Sequence, residues 1–312
     1  MEKKAKIIAT LGPSISSTNQ LKKIIELGVD AFRINFSHNT KGIKSIVNRI
    51  RILEKKTRKS IALIADLQGI KLRIGKVKSD NVKIKKNQKF IFDLNKKEGD
   101  SFRVNLPYPI IIKKLKKNNF ILIDDGKYAF KVIKKRSNSV ITKCLSQNFN
   151  LKSNKSVHVS NINLPFNNLT SKDKKDINVA KKIGCNWIAL SYLQNSKLIT
   201  QTRKLITSDM GIIAKIENKT ALKNIDEIIK ATDAVMIARG DLAIDVGHSE
   251  VPKIQLELIK KCNQLSKSVI VATQMLESMI ENYTATRAEI NDIATAIFQG
   301  ADTVMLSAEI AI

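Results

Sequence analysis

The chain has 312 residues, 43% of them hydrophobic, and its 55 Lys and Arg against 28 Asp and Glu give a formal net charge of +27. This composition indicates one large folded domain or two ordinary ones and excludes wholesale disorder. The sequence holds no apolar run of the roughly 18 residues that a membrane span needs, so we predict a cytoplasmic protein with no membrane partner.

The positive charge is concentrated in the first half of the chain. Residues 1–150 carry 35 basic and 11 acidic side chains, whereas residues 151–312 carry 20 and 17. Nucleic-acid-binding proteins usually combine such an excess with interleaved aromatic residues or a recognisable module. Aromatic residues make up only 5% of this chain. We therefore interpret the excess as a solvated surface and predict no specific nucleic-acid partner.

Short β-branched runs alternate with amphipathic segments along most of the chain. The runs that predict strands are Lys6–Ala9, Ala31–Asn35, Ile61–Asp66, Trp187–Ser191, Ile212–Ile216, Ala234–Ala238, Val269–Ala272 and Asp302–Leu306. Helices are predicted at Asn19–Leu27, Ile43–Lys56, Lys172–Ile183, Lys197–Thr207, Lys219–Lys230, Lys253–Ser266 and Arg287–Phe298. Near-continuous apolar strands that alternate with helices are typical of parallel sheets. Eight of them predict the α/β fold class and a TIM (β/α)8 barrel.

A different pattern interrupts the barrel between about Gly69 and Pro165. Short alternating segments predict strands there at Asn81–Ile84, Lys89–Phe92, Phe120–Ile123 and Tyr128–Ile133, with turn signals between them. We interpret this part as an inserted all-β domain. The predicted domains are then residues 1–69, the first part of the barrel, residues 70–165, the inserted domain, and residues 166–312, the second part of the barrel.

The sequence stops about six residues after the eighth predicted strand, which leaves no room for an eighth helix. We expect the missing helix to leave the barrel open and to expose apolar strand surface. The isolated chain is therefore expected to be poorly soluble or weakly active. It is either a fragment of a longer protein or a naturally truncated enzyme.

Charged residues end the fifth and sixth predicted strands, at the face where barrel enzymes carry their chemistry. Lys215 and Glu217 are two apart and therefore share one face, and Gly240 allows the turn that brings Asp241 beside Glu217. Two such carboxylates suit Mg²⁺, whose other coordination positions stay open to substrate. An ion-pair network between strands explains either segment alone, but both at consecutive strand ends favour a metal site.

Polar residues also end the second strand. Arg33, Asn35 and Ser37 alternate onto one face, where a barrel strand is expected to be apolar. An interpretation in which Ser37 and His38 cap the next helix leaves Arg33 unexplained.

The ends of the third and seventh strands complete the candidate site. Asp66 closes the third strand, Lys71 and Arg73 follow it, and Thr273 places a hydroxyl after the seventh. Arg33 and Arg73 near a metal would clamp a phosphate group, since guanidinium matches phosphoryl oxygens. A metal, two Arg and a Lys without an obvious nucleophile favour phosphoryl transfer, which relies on positioning and charge stabilisation.

These residues resemble the pyruvate kinase family from Lys6 to the end of the chain. The most specific segments are Arg33–His38, Lys215–Asn218, Ala238–Leu242, Ala272–Met279, Thr286–Glu289 and Val304–Ser307. The resemblance implies a barrel with a β-rich lid inserted after its third strand. It also implies Mg²⁺-dependent phosphoryl transfer from phosphoenolpyruvate to ADP, which gives pyruvate and ATP. The lid would close over the bound substrates and exclude water.

The resemblance also implies roles for single residues. Glu217 and Asp241 would bind Mg²⁺, which Mn²⁺ could replace, and Lys215 would stabilise charge on the transferred phosphoryl and enolate oxygens. Arg33 and Arg73 would hold the phosphoryl group.

Further contacts with the substrates follow from the same resemblance. The backbone N–H groups of Gly240 and Asp241, which would open a short helix, would bind the substrate carboxylate. Thr273 would contact the substrate and belong to the network that protonates the enolate. The implied nucleotide contacts are Asn35, His38, Lys59, Arg73 and Lys172.

One departure from the family concerns K⁺. Asn35, Ser37 and Asp66 correspond to its monovalent-cation pocket, but Lys71 stands where most members carry Glu. Leu67, Gln68 and Lys71 resemble the K⁺-independent bacterial-type subset. A Lys ammonium can supply the single positive charge that the ion otherwise provides. We predict that K⁺ is not required.

A second departure is the absence from this sequence of the family's C-terminal domain, which carries effector binding and part of the contact in the family homotetramer. An alternative function is a Mg²⁺-dependent barrel lyase or aldolase acting on pyruvate enolates, which also places Glu and Asp at strand ends. The inserted domain and the nucleotide-side residues argue against it.

Overall fold

The structure, a computed structural model, describes residues 3–38, 42–159 and 168–312. Its contacts divide the chain into two compact units, one of Met1–Ile70 with Phe166–Ile312 and the other of Lys71–Pro165. The strands are β1 Lys6–Thr10, β2 Ala31–Asn35, β3 Ala62–Asp66, β4 Val82–Ile84, β5 Lys89–Asp93, β6 Arg103–Asn105, β7 Phe120–Ile123, β8 Tyr128–Lys135, β9 Ser139–Cys144, β10 Phe149–Leu151, β11 Val157–Val159, β12 Trp187–Leu190, β13 Gly211–Ile216, β14 Ala234–Ala238, β15 Ser268–Ala272 and β16 Thr303–Leu306.

Helices follow most of the barrel strands. Their bounds are α1 Thr18–Glu26, α2 Ile43–Thr57, α3 Pro109–Lys114, α4 Ser171–Lys182, α5 Lys197–Arg203, α6 Lys219–Lys223, α7 Ile225–Ala231, α8 Arg239–Val246, α9 Val251–Gln264, α10 Arg287–Phe298 and α11 Ala308–Ala311. None of the helices in the described part of the chain is long and apolar enough to cross a membrane.

The first unit confirms the predicted TIM barrel. Within the described residues its parallel strands form a closed barrel in the order β1-β16-β15-β14-β13-β12-β3-β2. The expectation of an open barrel is wrong, because β1 pairs directly with β16, from Lys6 opposite Thr303 to Ala9 opposite Leu306. The outward-facing Val304 of β16 is only 7% exposed, so this edge does not present bare apolar surface.

The barrel interior changes from apolar to polar toward the carboxyl ends of its strands. Ile213 on β13 and Ile64 on β3 belong to the inner apolar cluster. Side chains two residues apart on a strand point the same way, so Lys215 and Asp66 face the interior one layer higher. The alternation of the strands thus delivers charged groups to the carboxyl end of the barrel.

One helical feature differs from the predictions, since the helix expected over Lys219–Lys230 is split into α6 and α7 at Asn224, whose N–H bonds back to Ala221 and Thr220. The short helix that the resemblance implies at Gly240 and Asp241 is present as α8, which begins one residue earlier, at Arg239.

The second unit is β-rich. Its six-stranded sheet has the order β11-β7-β8-β9-β5-β6, and β10 pairs with β4. The prediction of an all-β insertion is corrected by α3, which begins at Pro109 and buries Ile111 and Ile112. Pro is well suited to the first position of a helix, where the missing N–H leaves no bond unmade.

Aromatic rings fill the core of the second unit, where Phe130 is fully buried against Phe90 and Phe92 with ring centroids 5.4 and 5.2 Å away. We expect Phe130→Ala to lower the free energy of unfolding of this unit by about 3–5 kcal/mol, because a cavity replaces the ring. Phe102→Ala is the matched control, since Phe102 is 70% exposed. Urea denaturation followed by circular dichroism measures both losses, and equal losses would contradict this account of the core.

Candidate active site

Lys215 lies at the centre of a buried charged cluster at the carboxyl end of the barrel. Its ammonium nitrogen is 3.1 Å from Asp66 Oδ1 and 2.9 Å from Glu217 Oε1. It also donates a hydrogen bond to Ser191 Oγ at 2.7 Å. Three neighbouring strands, β3, β12 and β13, supply or directly precede these groups. Lys215 is 8% exposed, so the cluster is shielded from solvent.

The charges in this cluster hold each other in place. Burial acts against the charged form of Lys215, but Asp66 and Glu217 outweigh it and raise the pKa of the ammonium above its ordinary value. Burial likewise acts against the Asp66 carboxylate, yet Lys215 and Arg33 keep its pKa below the ordinary value. Arg33 Nε lies 2.7 Å from Asp66 Oδ2. Lys215 therefore stays a cation and Asp66 an anion near neutral pH.

Glu217 is less well compensated than Asp66. Burial, together with the nearby Asp241 carboxylate, outweighs the attraction of Lys215 and raises the pKa of Glu217 to about 7. Among the described residues no hydrogen-bond donor is aligned on Glu217 Oε1, although the Lys215 nitrogen is in ion-pair contact with it. A buried carboxylate oxygen in this state favours a further cation as a partner.

Tyr192 joins the two carboxylates that the sequence predicts as metal ligands. Its backbone N–H donates to Glu217 Oε2 at 2.6 Å, and its hydroxyl donates to Asp241 Oδ1 at 3.1 Å. Tyr192 is not among the site residues that the sequence predicts. Its only sequence signal is its position directly after the fourth barrel strand.

The residues present fit a divalent metal with hard oxygen ligands. Mg²⁺ is usually bound by one or two carboxylates and keeps its other positions for water and substrate oxygens. Glu217 offers a buried oxygen without an aligned donor, and Asp241 lies near enough to raise its pKa. Across the described ranges no group of three or more His, Cys, Asp or Glu forms a more complete protein cage.

Thr273 sits in a strained turn that follows β15. Its φ is +70°, and that of Gln274 is +54°, a region that β-branched residues rarely adopt. The buried Arg239 guanidinium holds the turn by donating to the carbonyl oxygens of Thr273 at 2.7 Å and Gln274 at 3.0 Å. The N–H of Gly240, predicted to bind a substrate carboxylate, donates here to Thr273 Oγ1 at 2.9 Å.

A cavity of about 690 Å³ opens beside the end of β2. Its lining includes Arg33, Asn35 and His38, together with Pro13 and Ile43. This volume lies in the range of small-molecule sites in proteins, and its mixed polar and apolar lining is typical of them.

Lys172 and Ser37 also lie close to the end of β2. The Lys172 ammonium donates to the carbonyl oxygen of Phe36 at 2.7 Å and pairs with Asp176. The backbone N–H of Ser37 donates to Asn35 Oδ1 at 3.0 Å. The structure thus brings these predicted residues together around one strand end.

The prediction that Lys59 contacts a nucleotide needs correction. Lys59 lies three residues before β3 begins, at the amino end of the strand, and its ammonium donates to the carbonyl oxygens of Ile25 and Glu26. Those carbonyls end α1, where a cation is favourable. Lys59 therefore caps the C-terminus of α1, at the end of the barrel opposite the charged cluster.

Arg73 and Lys71 belong to the second unit. There the Arg73 guanidinium donates to the carbonyl oxygen of Asn154 at 2.7 Å, and its backbone N–H donates to the hydroxyl of Tyr108 at 3.0 Å. Their predicted contacts with a phosphoryl group, a nucleotide or a cation stay predictions.

Comparisons with known proteins point to one family. A family model described as pyruvate kinase, barrel domain, matches residues 2–312. A pyruvate kinase of Buchnera aphidicola subsp. Acyrthosiphon pisum is 43% identical over 318 residues, which cover 99% of this chain and 66% of the relative. One of Methylorubrum extorquens is 37% identical over 308 residues, which cover 98% and 64%.

A solved structure agrees with these sequence relatives. The crystal structure of a pyruvate kinase from Cryptosporidium parvum superposes with a TM-score of 0.92 at 30% identity and covers 98% of this chain and 65% of that one. The chain thus spans slightly less than two thirds of the length of each relative.

The buried network around Lys215 predicts a large effect of Asp66→Asn. We expect a loss of about 3–5 kcal/mol in the free energy of unfolding at neutral pH, because the substitution removes an anionic partner from the buried Lys215 and the half-buried Arg33. Asp226→Asn is the matched control, since Asp226 pairs with Lys261 on the surface. We expect that variant to lose about 1 kcal/mol at most.

The difference between the two variants depends on pH. The depressed pKa of Asp66 stabilises the folded state above the ordinary carboxyl pKa, and this contribution is lost as the pH falls through the folded-state value. Urea titrations from pH 7 downward measure it. A loss in Asp66→Asn no larger than that in Asp226→Asn would contradict the network.

Proposed function

The chain belongs to the pyruvate kinase family, and we propose that the protein transfers the phosphoryl group of phosphoenolpyruvate to ADP, giving pyruvate and ATP. This is the last step of glycolysis. The observation that carries the proposal is a permanently charged ammonium, Lys215, beside two carboxylates that fit Mg²⁺ at the carboxyl end of the barrel. Phosphoryl transfer needs such fixed positive charge more than it needs a nucleophile.

Lys215 acts as an electrostatic group rather than as a base. Asp66 and Glu217 hold it protonated, so it offers a fixed cation to the transferred phosphoryl oxygens and to the developing enolate. Arg33 would hold the phosphoryl group, and its guanidinium is oriented by Asp66 and by the hydroxyl of Thr10. These groups are positioned before substrate arrives, which lowers the reorganisation needed in the transition state.

Glu217 and Asp241 would hold Mg²⁺, or Mn²⁺ in its place. When bound, the ion neutralises negative charge on the substrate oxygens. Tyr192 donates a hydrogen bond to each of these carboxylates, to Glu217 through its N–H and to Asp241 through its hydroxyl.

Thr273 would take part in protonation of the enolate. Its hydroxyl oxygen accepts a hydrogen bond from the N–H of Gly240, so its own hydrogen is directed away from that amide. Asp241 lies in the first turn of α8, which begins at Arg239, and its N–H suits the substrate carboxylate because helix starts favour anions.

ADP would occupy the cavity beside β2. The cavity is large enough for part of a nucleotide, its lining includes Asn35 and His38, and Lys172 lies at the adjacent carbonyl of Phe36. Arg73 as a phosphoryl and nucleotide contact, assembly into a homotetramer and a cytoplasmic location stay predictions from the resemblance.

The first test is a coupled assay of ATP and pyruvate formed from phosphoenolpyruvate and ADP. We expect Lys215→Met to lower kcat by about 10²–10³-fold, because it removes a fixed charge from the reacting oxygens. Lys230→Met, at an exposed position of α7, is the matched control and keeps the wild-type rate. An unimpaired Lys215→Met would contradict the proposal. Turnover of pyruvate enolates without any ATP would favour the lyase or aldolase alternative, which the relatives do not support.

The second test concerns K⁺. We propose that the activity is independent of K⁺, since Asp66 already pairs with two cationic side chains, Arg33 and Lys215. The resemblance supports this proposal, because Lys71 stands where most family members carry Glu. We expect equal rates when tetramethylammonium replaces K⁺. Lys71→Glu should make the rate rise many-fold with K⁺, whereas the same charge change in Lys76→Glu should not.

Strong activation of the wild-type protein by K⁺ would contradict K⁺ independence. It would not contradict the proposed phosphoryl transfer, because the reaction has the same products whether or not it requires K⁺.

A further inference from the structure

Tyr192 contacts both carboxylates of the candidate metal site through two different groups. Its N–H reaches Glu217 Oε2 at 2.6 Å and its hydroxyl reaches Asp241 Oδ1 at 3.1 Å. We propose that Tyr192 is a positioning residue that sets the affinity of the site for a divalent cation. This inference rests on the proposed function, of which the metal site is a part.

The backbone of Tyr192 is held in a conformation that a side chain of its size rarely adopts. Its φ is +55°, in the left-handed region that is unfavourable for a non-glycine residue. The short bond from its N–H to the buried Glu217 carboxylate is the contact that this conformation makes possible. Strain of this kind persists only where the surrounding contacts fix it.

The residues on either side of Tyr192 are fixed as well. Ser191 Oγ bonds to the carbonyl oxygen of Leu67 at 2.7 Å and accepts from Lys215. The carbonyl oxygen of Leu193 accepts from the side-chain amide of Asn218 at 3.0 Å. The half-buried Tyr192 is therefore mounted on a rigid segment, and its hydroxyl meets Asp241 from a defined direction.

The two hydrogen bonds of Tyr192 together fix the orientations of the Glu217 and Asp241 carboxylates. Glu217 follows β13 and Asp241 follows β14, so nothing within a single strand sets the angle between their carboxylates. A hydrogen bond to the second oxygen of a ligating carboxylate fixes its rotation. Tyr192 fixes both, and the pair is preorganised for an ion before it arrives.

The hydroxyl contributes separately from the ring and the N–H. Tyr192→Phe removes one oxygen atom and leaves the ring, the backbone and the bond to Glu217 in place. Asp241 then loses the donor on Oδ1 and can rotate. Loss of such an outer partner typically lowers metal affinity about 10–100-fold.

The experiment is a titration of the apo protein with Mn²⁺ alone, with free Mn²⁺ measured by electron paramagnetic resonance. We expect Tyr192→Phe to raise the Kd for Mn²⁺ about 10–100-fold. Tyr283→Phe makes the same chemical change at a residue that is 98% exposed and should leave the Kd unchanged. The increase in Tm caused by Mn²⁺ should shrink in Tyr192→Phe and stay the same in Tyr283→Phe.

The outcomes separate this inference from the proposed function. An equal or tighter Kd in Tyr192→Phe overturns the positioning role and leaves the metal site standing. Mn²⁺ binding that is absent from the wild-type protein, or that survives Glu217→Gln undiminished, overturns the metal site and this inference with it.

Discussion

An ammonium ion enclosed by a barrel of apolar strands is the constraint from which the site follows. An unpaired charge at the position of Lys215 would cost several kcal/mol, so Asp66 and Glu217 have to reach it. Asp66 in turn recruits Arg33 from the next strand. Because each charge requires the next, the cluster links the carboxyl ends of β2, β3 and β13, although β12 lies between β3 and β13. The negative charge of Glu217 is only partly compensated by Lys215, and an added cation would complete the compensation there.

Two strained segments border this cluster, and each is held by a charged side chain. The turn at Thr273 and Gln274 is clamped by Arg239, and the left-handed Tyr192 is bonded to Glu217. Strain of this kind concentrates at functional sites, where it aims groups that relaxed backbone would turn aside. Arg239 directly precedes Gly240 in the sequence. Both residues contact Thr273, because the Arg239 guanidinium donates to its carbonyl oxygen and the Gly240 N–H donates to its hydroxyl oxygen.

The barrel and its charged pair were predictable because both are periodic. Apolar strands alternating with helices identify the barrel, and the spacing of two between Lys215 and Glu217 puts both side chains on one face. The role of Tyr192 was not predictable, because its contacts depend on a positive φ that the local sequence pattern does not indicate. The predicted nucleotide contact of Lys59 was wrong for a related reason. Its role depends on which helix ends beside it, and that is set by tertiary packing. The break at Asn224 likewise has no signal in the periodicity of that helix.

The way the chain leaves and re-enters the barrel affects how the barrel assembles. Strands β3 and β12 are hydrogen-bonded neighbours although the whole second unit lies between them in the sequence. The two ends of that unit are themselves joined, since the N–H of Val157 donates to Leu72 and that of Ile74 to Lys155. Once folded, the insertion behaves as a short tether and lowers the entropic cost of closing the barrel by roughly 1 kcal/mol. Loosening the insertion would therefore slow the pairing of β3 with β12.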